Sequence, residues 1–258
     1  MKRVYLAVPP VETEYPYAAI REGVRRLGWQ VMPMVGDIED ADLLITWSPW
    51  NGSRRQALQR SFVAAGKPVI VMENGWLSPL GGRTFYQVAL DGWNGTGTFP
   101  AGGPERWEGW RVMPWAWKQD GSYALVIAQR GGPDDPRTAA RDWHKTLHLP
   151  LPVLRRDRDC PEPLHVQLKN AAECHVWTSN AASWAILLGV PVIQHGPNLM
   201  VSALASRPGE PLVRPERGPE MERLAWSQFT AAELHSGEPF ARLAAHYTAT
   251  MVAGASAP

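Results

Sequence analysis

The chain has 258 residues, 20% of them charged, and a formal net charge of +1. That length is enough for one large core or two small ones, and the near-zero charge excludes a strongly basic nucleic-acid face dictated by composition alone. Two cysteines, Cys160 and Cys174, exclude a disulfide framework and fit no zinc spacing, so a reducing, cytoplasmic setting is the expectation.

In chain order, residues 3–8 read as a first buried strand. Its apolar run stops at Pro9-Pro10, with Glu12 and Glu14 following, too soon for a signal peptide or a membrane span. Residues 17–27 predict a helix with Ala19, Ile20, Val24 and Leu27 on one face, ended by Gly28. Strands follow at 30–34 and 43–47, then a helix capped by Ser53 and running to Ala65, then a strand at 69–73. Short apolar strands alternating with helices predict a parallel sheet covered on both faces.

Residues 74–117 break this pattern with Gly, Pro, Asn and many of the 13 tryptophans, and only 84–90 reads as a strand. A long irregular stretch in a compact α/β chain is a functional candidate, and its Trp content argues against disorder. Alternation resumes with strands at 123–128 and 152–156 and helices at 137–147 and 163–171. Cys174–Thr178 then reads as a strand, Ser179 and Asn180 as helix-capping residues, 181–188 as a helix, Gly189 as its stop, and Pro191-Val-Ile as the next strand. A polar turn between a strand and a helix start offers free backbone N–H groups to an anion. Residues 206–219 read as a loop, 220–229 and 239–251 as helices, and 252–258 as a frayed tail.

The layout resembles the GT-B fold of nucleotide-sugar glycosyltransferases. The run from His175 through Ser179-Asn180 to Leu188-Gly-Val-Pro-Val-Ile193 is similar to the donor segment of capsule-polysaccharide-type transferases, with Trp184 and Ala185 where many of them carry a ribose-holding Glu. The stretch Leu224–Gly237 resembles the end of phage-encoded transferase-like proteins. The resemblance implies two Rossmann-like domains facing across a cleft: an acceptor domain at 1–116, a donor domain at 117–225, and C-terminal helices at 226–258 crossing back onto the first.

The resemblance directs attention to the carboxyl ends of parallel strands, where open α/β sheets bind ligands. Gln129, Arg130, Gly131, Arg155, Ser179, Asn180 and Ser183 are the expected donor-binding residues. Asp91 and Glu73, each at a strand-to-loop edge, are the candidate bases for an acceptor hydroxyl. Asn74, Trp76, Trp93 and Asn94 are the candidate acceptor contacts, with Trp107 and Trp110 extending an aromatic platform for a sugar or an unpaired base. His144 and His148 are four apart, but no third ligand stands at useful spacing, so neither metal nor cofactor is expected beyond a nucleotide-sugar co-substrate, with UDP the expected nucleotide. His175 and His195 read as packed or capping histidines. Local arginine groups beside the Trp-rich loop suggest double-stranded DNA carrying a 5-hydroxymethyl pyrimidine as acceptor, and with it a phage protein acting in the host cytoplasm. A capsule-type saccharide acceptor, a non-catalytic nucleotide-sugar-binding module and an epimerase are the alternatives.

Overall fold

The computed structural model describes residues 1–11, 15–32, 38–48, 53–129, 142–157 and 159–255. They form a mixed α/β fold of two compact Rossmann-like units: residues 1–103 with 223–258, and residues 104–222.

The first unit is built on β1 (Arg3–Ala7), β2 (Gln30–Met32), β3 (Leu43–Trp47), β4 (Val69–Asn74), β5 (Phe85–Leu90) and β10 (Gln228–Thr230), in the order β10-β5-β4-β3-β1-β2. Alternate residues of each strand serve opposite faces. Val4, Leu6, Leu43, Ile45, Ile70 and Met72 join one core cluster, whereas Tyr5, Ala7, Leu44, Val69 and Val71 join another. The first face takes α1 (Tyr17–Arg26) through Ile20 and Val24, α7 (Ala231–Ser236) through Leu234, and α8 (Glu238–Ala255) through Phe240 and Leu243. The second takes α2 (Arg54–Ala64) through Phe62. Ser53 caps α2 by accepting a hydrogen bond from Gln56 N–H at 3.2 Å. A Cβ on Gly23 would lie 1.9 Å from the Leu234 carbonyl oxygen, so only glycine lets α1 and α7 approach this closely.

Two features depart from the sequence reading. The sheet is not wholly parallel: β1 to β4 are parallel, but β5 runs antiparallel to β4, and β10 antiparallel to β5. The link between β4 and β5 is too short for a helical crossover, and it turns at Gly81-Gly82, both at positive φ (56° and 74°). The predicted helix at 220–229 is also divided. It ends as α6 (Gly218–Ala225), and the chain becomes strand β10 before α7, whose start Thr230 and Glu233 fix as a reciprocal capping box.

The second unit carries a wholly parallel sheet of β6 (Tyr123–Ile127), β7 (Val153–Arg156), β8 (Ala171–Val176) and β9 (Val192–Gln194), in the order β7-β6-β8-β9. Its helices are α3 (Glu105–Gly109), α4 (Leu164–Asn170) and α5 (Ala181–Leu187). Ala182, Ala185 and Ile186 of α5 are buried. Gly189 ends that helix with φ 75°, and a Cβ there would lie 2.1 Å from the Ala116 carbonyl oxygen. The predicted helix at 137–147 lies outside the described residues as far as 141, and Trp143–Lys145 forms a single 3-10 turn.

The two units share one topology. Counting strands from each start, both have a parallel core in the order second, first, third, fourth: β2-β1-β3-β4 and β7-β6-β8-β9. In such sheets the strand order reverses between the first and third strands, which opens a crevice at their carboxyl ends.

Candidate functional site

In the second unit that crevice lies between β6 and β8. Gln129, two residues past β6, accepts a hydrogen bond through Oε1 from Thr178 N–H, two residues past β8, at 3.4 Å. The bond ties the rims of the switch point together. Beyond it Ser179 Oγ accepts from Ala181 N–H at 3.2 Å and so satisfies one free amide of α5. Ser183 is buried, and among the described residues its Oγ has no hydrogen-bond partner. A buried hydroxyl without a partner is uncommon and calls for a water or ligand atom to pair with it. α5 has only seven residues, so its dipole contributes less than the sequence reading assumed; the side chains and turn amides carry the polarity here.

The expected donor residues fare differently. Gln129, Ser179, Asn180 and Ser183 gather at the carboxyl edge around β6 and β8. Arg130 and Gly131 lie outside the described residues. Arg155 is committed elsewhere: its Nε donates to the His144 carbonyl at 3.2 Å and its Nη2 to the Leu147 carbonyl at 3.4 Å. It braces the 142–147 segment.

At the same edge stands a group that the sequence reading treated as packing. His175 Nε2 and Glu173 Oε1 are 2.9 Å apart, and His175 Nδ1 and His195 Nε2 are 2.9 Å apart. Trp143 lies over His195 with ring centroids 4.5 Å apart and planes at 36°. Trp177 flanks Trp143 at 6.0 Å. A Cβ on Gly196 would meet the Trp177 ring at 2.5 Å, so glycine lets that indole lie against the backbone. Burial, helped by the neighbouring His175, pushes the His195 pKa down to about 4. Glu173-x-His175 is a visible period-two pair in the sequence; its junction with His195 needed the register of β8 against β9.

In the first unit the carboxyl edge holds Glu73. Ser48 hydroxyl donates to Glu73 Oε2. Glu73 Oε1 accepts from the backbone N–H of Asn74 at 2.8 Å and from its Nδ2 at 3.0 Å. Ser48 is itself positioned by its own N–H, which donates to the Met72 carbonyl at 2.7 Å. A carboxylate with these donors is held in one orientation at the end of a parallel strand, and Asn74 belongs to the same cluster.

Asp91 does not join it. Because β5 is antiparallel, its end lies beside the start of β4. Asp91 N–H donates to the Val69 carbonyl at 2.8 Å, and Asp91 Oδ1 accepts from Val69 N–H at 3.2 Å. Glu73 is four residues further along β4, roughly 13 Å away by strand rise. Asp91 has φ 59°, and burial pushes its carboxyl above the usual range, opposed by the Val69 hydrogen bond. These are the properties of a turn residue.

The aromatic platform is not formed as expected. Trp76 is fully buried, and its Nε1 donates to the Leu224 carbonyl at 3.2 Å and to Ser227 Oγ at 3.0 Å. Trp107 and Trp110 are buried as a T-shaped pair with centroids 5.6 Å apart. Trp93 packs against the Tyr5 and Phe62 core, and Asn94 N–H is taken by Gln87 Oε1 at 2.9 Å. Neither ring nor amide is left as a free platform: Trp93 is packed on that core, and Asn94 is tied to Gln87 on β5. The arginine groups are likewise partly engaged: Arg25 and Arg26 pair with Glu22 on α1.

Among the described residues no group of three or more His, Cys, Asp or Glu is arranged to hold a metal ion. Among them, too, no helix is long and apolar enough to cross a membrane. No protein-family model and no curated protein sequence matches the chain. Two solved structures from Thermosulfurimonas dismutans share its fold. The KpsC beta Kdo 2,4 transferase superposes with a TM-score of 0.55 at 14% identity, over 88% of this chain and 91% of that one. The KpsC beta Kdo 2,7 transferase does so with a TM-score of 0.51 at 11% identity, over 93% of this chain and 99% of that one. At such identities the likeness is one of architecture: the two-unit Rossmann-like α/β fold of these transferases.

Proposed function

We propose that the chain is a glycosyltransferase that moves a sugar from a nucleotide-sugar donor to a hydroxyl acceptor, with the donor bound at the carboxyl edge of the β6–β9 sheet. The observation that carries this reading is the Gln129–Thr178 hydrogen bond across the switch point, with the Ser183 hydroxyl, partnerless among the described residues, in the helix after it. It occurs in a fold shared with two proteins named as Kdo transferases. In this reading Ser179, Asn180 and Ser183 meet the phosphate oxygens and stabilise the leaving nucleotide. Glu73, held by Ser48 and Asn74, takes the proton from the acceptor hydroxyl.

The fold neighbours' names make a Kdo-type sugar the first donor to test and a saccharide the preferred acceptor class. The burial of Trp76, Trp107 and Trp110 withdraws three of the four rings expected to stack on an extruded hydroxymethyl pyrimidine in DNA. DNA is therefore the second acceptor class, and UDP is one nucleotide among several.

The test is a panel of UDP-, CMP-, GDP- and ADP-linked sugars, offered with saccharide acceptors or with hydroxymethylated duplex DNA. Nucleotide release and product mass are measured. Sugar addition to a saccharide is the expected result. Addition to the duplex would select the second acceptor class. Conversion of the donor sugar without an acceptor would make the chain an epimerase. Nucleotide binding with no turnover of any donor would make it a non-catalytic binding module.

A further inference from the structure

β8 and β9 are parallel neighbours with His175 opposite Ile193. Side chains two apart project from one face of a sheet, so Glu173, His175 and His195 share a face, with His195 just past the end of β9. With Glu173 ionised and one proton on His175, their contacts leave a single placement of the ring protons. A carboxylate oxygen only accepts, so His175 donates to Glu173 from Nε2. With a single proton on His175, its Nδ1 keeps a lone pair, to which His195 donates from Nε2. The remaining nitrogen, His195 Nδ1, is left as an acceptor, with no protein partner among the described residues.

The ring that carries this lone pair is fixed on both sides, by His175 through the hydrogen bond and by Trp143 through the stack at 4.5 Å. His195 is only half-buried, and it follows the strand next to the Thr178–Ser183 turn. The contacts with His175 and Glu173 thus fix the ring's orientation as well as its packing. Two further buried polar atoms at this edge, Trp143 Nε1 and His144 Nδ1, have no hydrogen-bond partner among the described residues.

We propose that Glu173 and His175 hold His195 in the tautomer whose Nδ1 accepts a hydrogen bond from a ring hydroxyl of the nucleotide-sugar donor. The proposal rests on the donor-site reading above and assigns a specificity group to it. The chemistry recognised is a hydroxyl on a sugar ring, either the ribose of the nucleotide or the sugar to be transferred. A phosphate oxygen is excluded as the partner, since two lone pairs would face each other. The low pKa of His195 agrees with a ring that stays neutral at neutral pH. Glu173 and His175 are positioning residues; His195 is the contact.

Two measurements test it. In long-range proton–nitrogen spectra of the labelled protein, His195 is expected to carry its proton on Nε2 and a bare Nδ1; a proton on Nδ1 would overturn the proposal. Glu173→Ala is expected to average the two nitrogen shifts of His195, because the tautomer is no longer locked; an unchanged spectrum would remove Glu173 and His175 from the role. Binding is then measured by calorimetry with CMP, UMP, GMP, AMP, their 2′-deoxy forms and the matching nucleotide sugars. His195→Ala is expected to weaken binding roughly five- to tenfold, the loss of one hydrogen bond. His195→Asn, whose amide oxygen can stand near the Nδ1 position, is expected to stay within about threefold of wild type. A loss seen with ribonucleotides but not with 2′-deoxy forms places the ribose at His195; a loss seen only with nucleotide sugars places the transferred sugar there. If wild type binds these probes and His195→Ala binds them equally well, the proposal fails and the donor reading stands. If wild type binds none of them, the donor reading fails and takes the proposal with it.

Discussion

His175 and His195 end neighbouring strands and meet within hydrogen-bonding distance; Glu73 and Asp91 also end neighbouring strands and lie at opposite edges of their sheet. The difference is strand direction. β8 and β9 are parallel, so the residues just past both strands converge on one rim. β5 is antiparallel to β4, so its carboxyl end returns to the amino end of β4. Both units have the same four-strand parallel order, and in both the candidate chemistry stays with the parallel strands. A strand-end residue is informative about a site only once the direction of its strand is known.

The largest expected effect comes from Glu73. Glu73→Gln should lower turnover by about 10²- to 10⁴-fold, the usual contribution of a general base, with the melting temperature little changed. An unaltered rate would remove Glu73 from the reaction and with it the first unit's half of the comparison. Trp76 stands in the link that reverses β5, buried against Leu224 and Ser227. Trp76→Ala should cost about 3–5 kcal/mol of stability by chemical denaturation. If stability is kept and only acceptor affinity falls, Trp76 is a binding platform after all.

Gly196→Ala should cost about 1–3 kcal/mol, since the new methyl would enter the Trp177 ring, and it should weaken donor binding. A variant of full stability and affinity would show that the Trp177 and Trp143 packing is loose. The pH response of His195 should be smaller. Its folded pKa of about 4 lies below the ordinary value of 6.5, so the unfolded chain binds more protons between those values. Its contribution to stability is therefore present above pH 6.5 and lost as pH falls towards 4, and His195→Asn should flatten that limb in urea titrations at several pH values. A steeper limb in the variant would contradict the assignment.

The smallest effect is expected at Asp91. Its folded pKa is raised, so the native state binds more protons above 3.8, and its contribution to stability is greatest in acid and declines as pH rises through that interval. Asn tolerates the positive φ. Asp91→Asn should change stability by about 0.5 kcal/mol or less at neutral pH, should lose ground to wild type on acidification, and should leave turnover intact. A large loss of turnover would return Asp91 to the site and break the contrast between parallel and antiparallel edges.

Much of the fold was legible because local rules governed it. Apolar runs marked β1, β3, β4, β6 and β8, and Ser53, Gly28 and Gly189 marked helix limits by capping and positive φ. The direction of β5 was not legible from apolar content, which is the same for either direction; the Gly81-Gly82 turn was the available signal. β10 is three residues between two helices, and only the Thr230–Glu233 capping box announced that a new helix starts there. At the candidate site, the strand–turn–helix pattern made legible the turn of Ser179 and Asn180 and the short helix that carries Ser183. The Glu173–His175–His195 chain was not, because it depends on the register between two strands separated by α5. The tryptophans misled for another reason: residues beside Gly and Pro look exposed in sequence, yet Trp76 reaches buried partners on the far side of the chain, at Leu224 and Ser227.

The central claim is that the carboxyl edge of the second sheet receives the nucleotide. The most direct measurement is a nuclear magnetic resonance titration of the labelled protein with CMP, UMP, GMP and AMP, read at the backbone amides and the histidine rings. Saturable shifts are predicted at Thr178, Ser179, Asn180, Ser183 and the His195 ring, with Asp91, Trp93 and Asn94 unmoved. Saturable shifts confined to the first unit, or none with CMP, UMP, GMP or AMP, would contradict it.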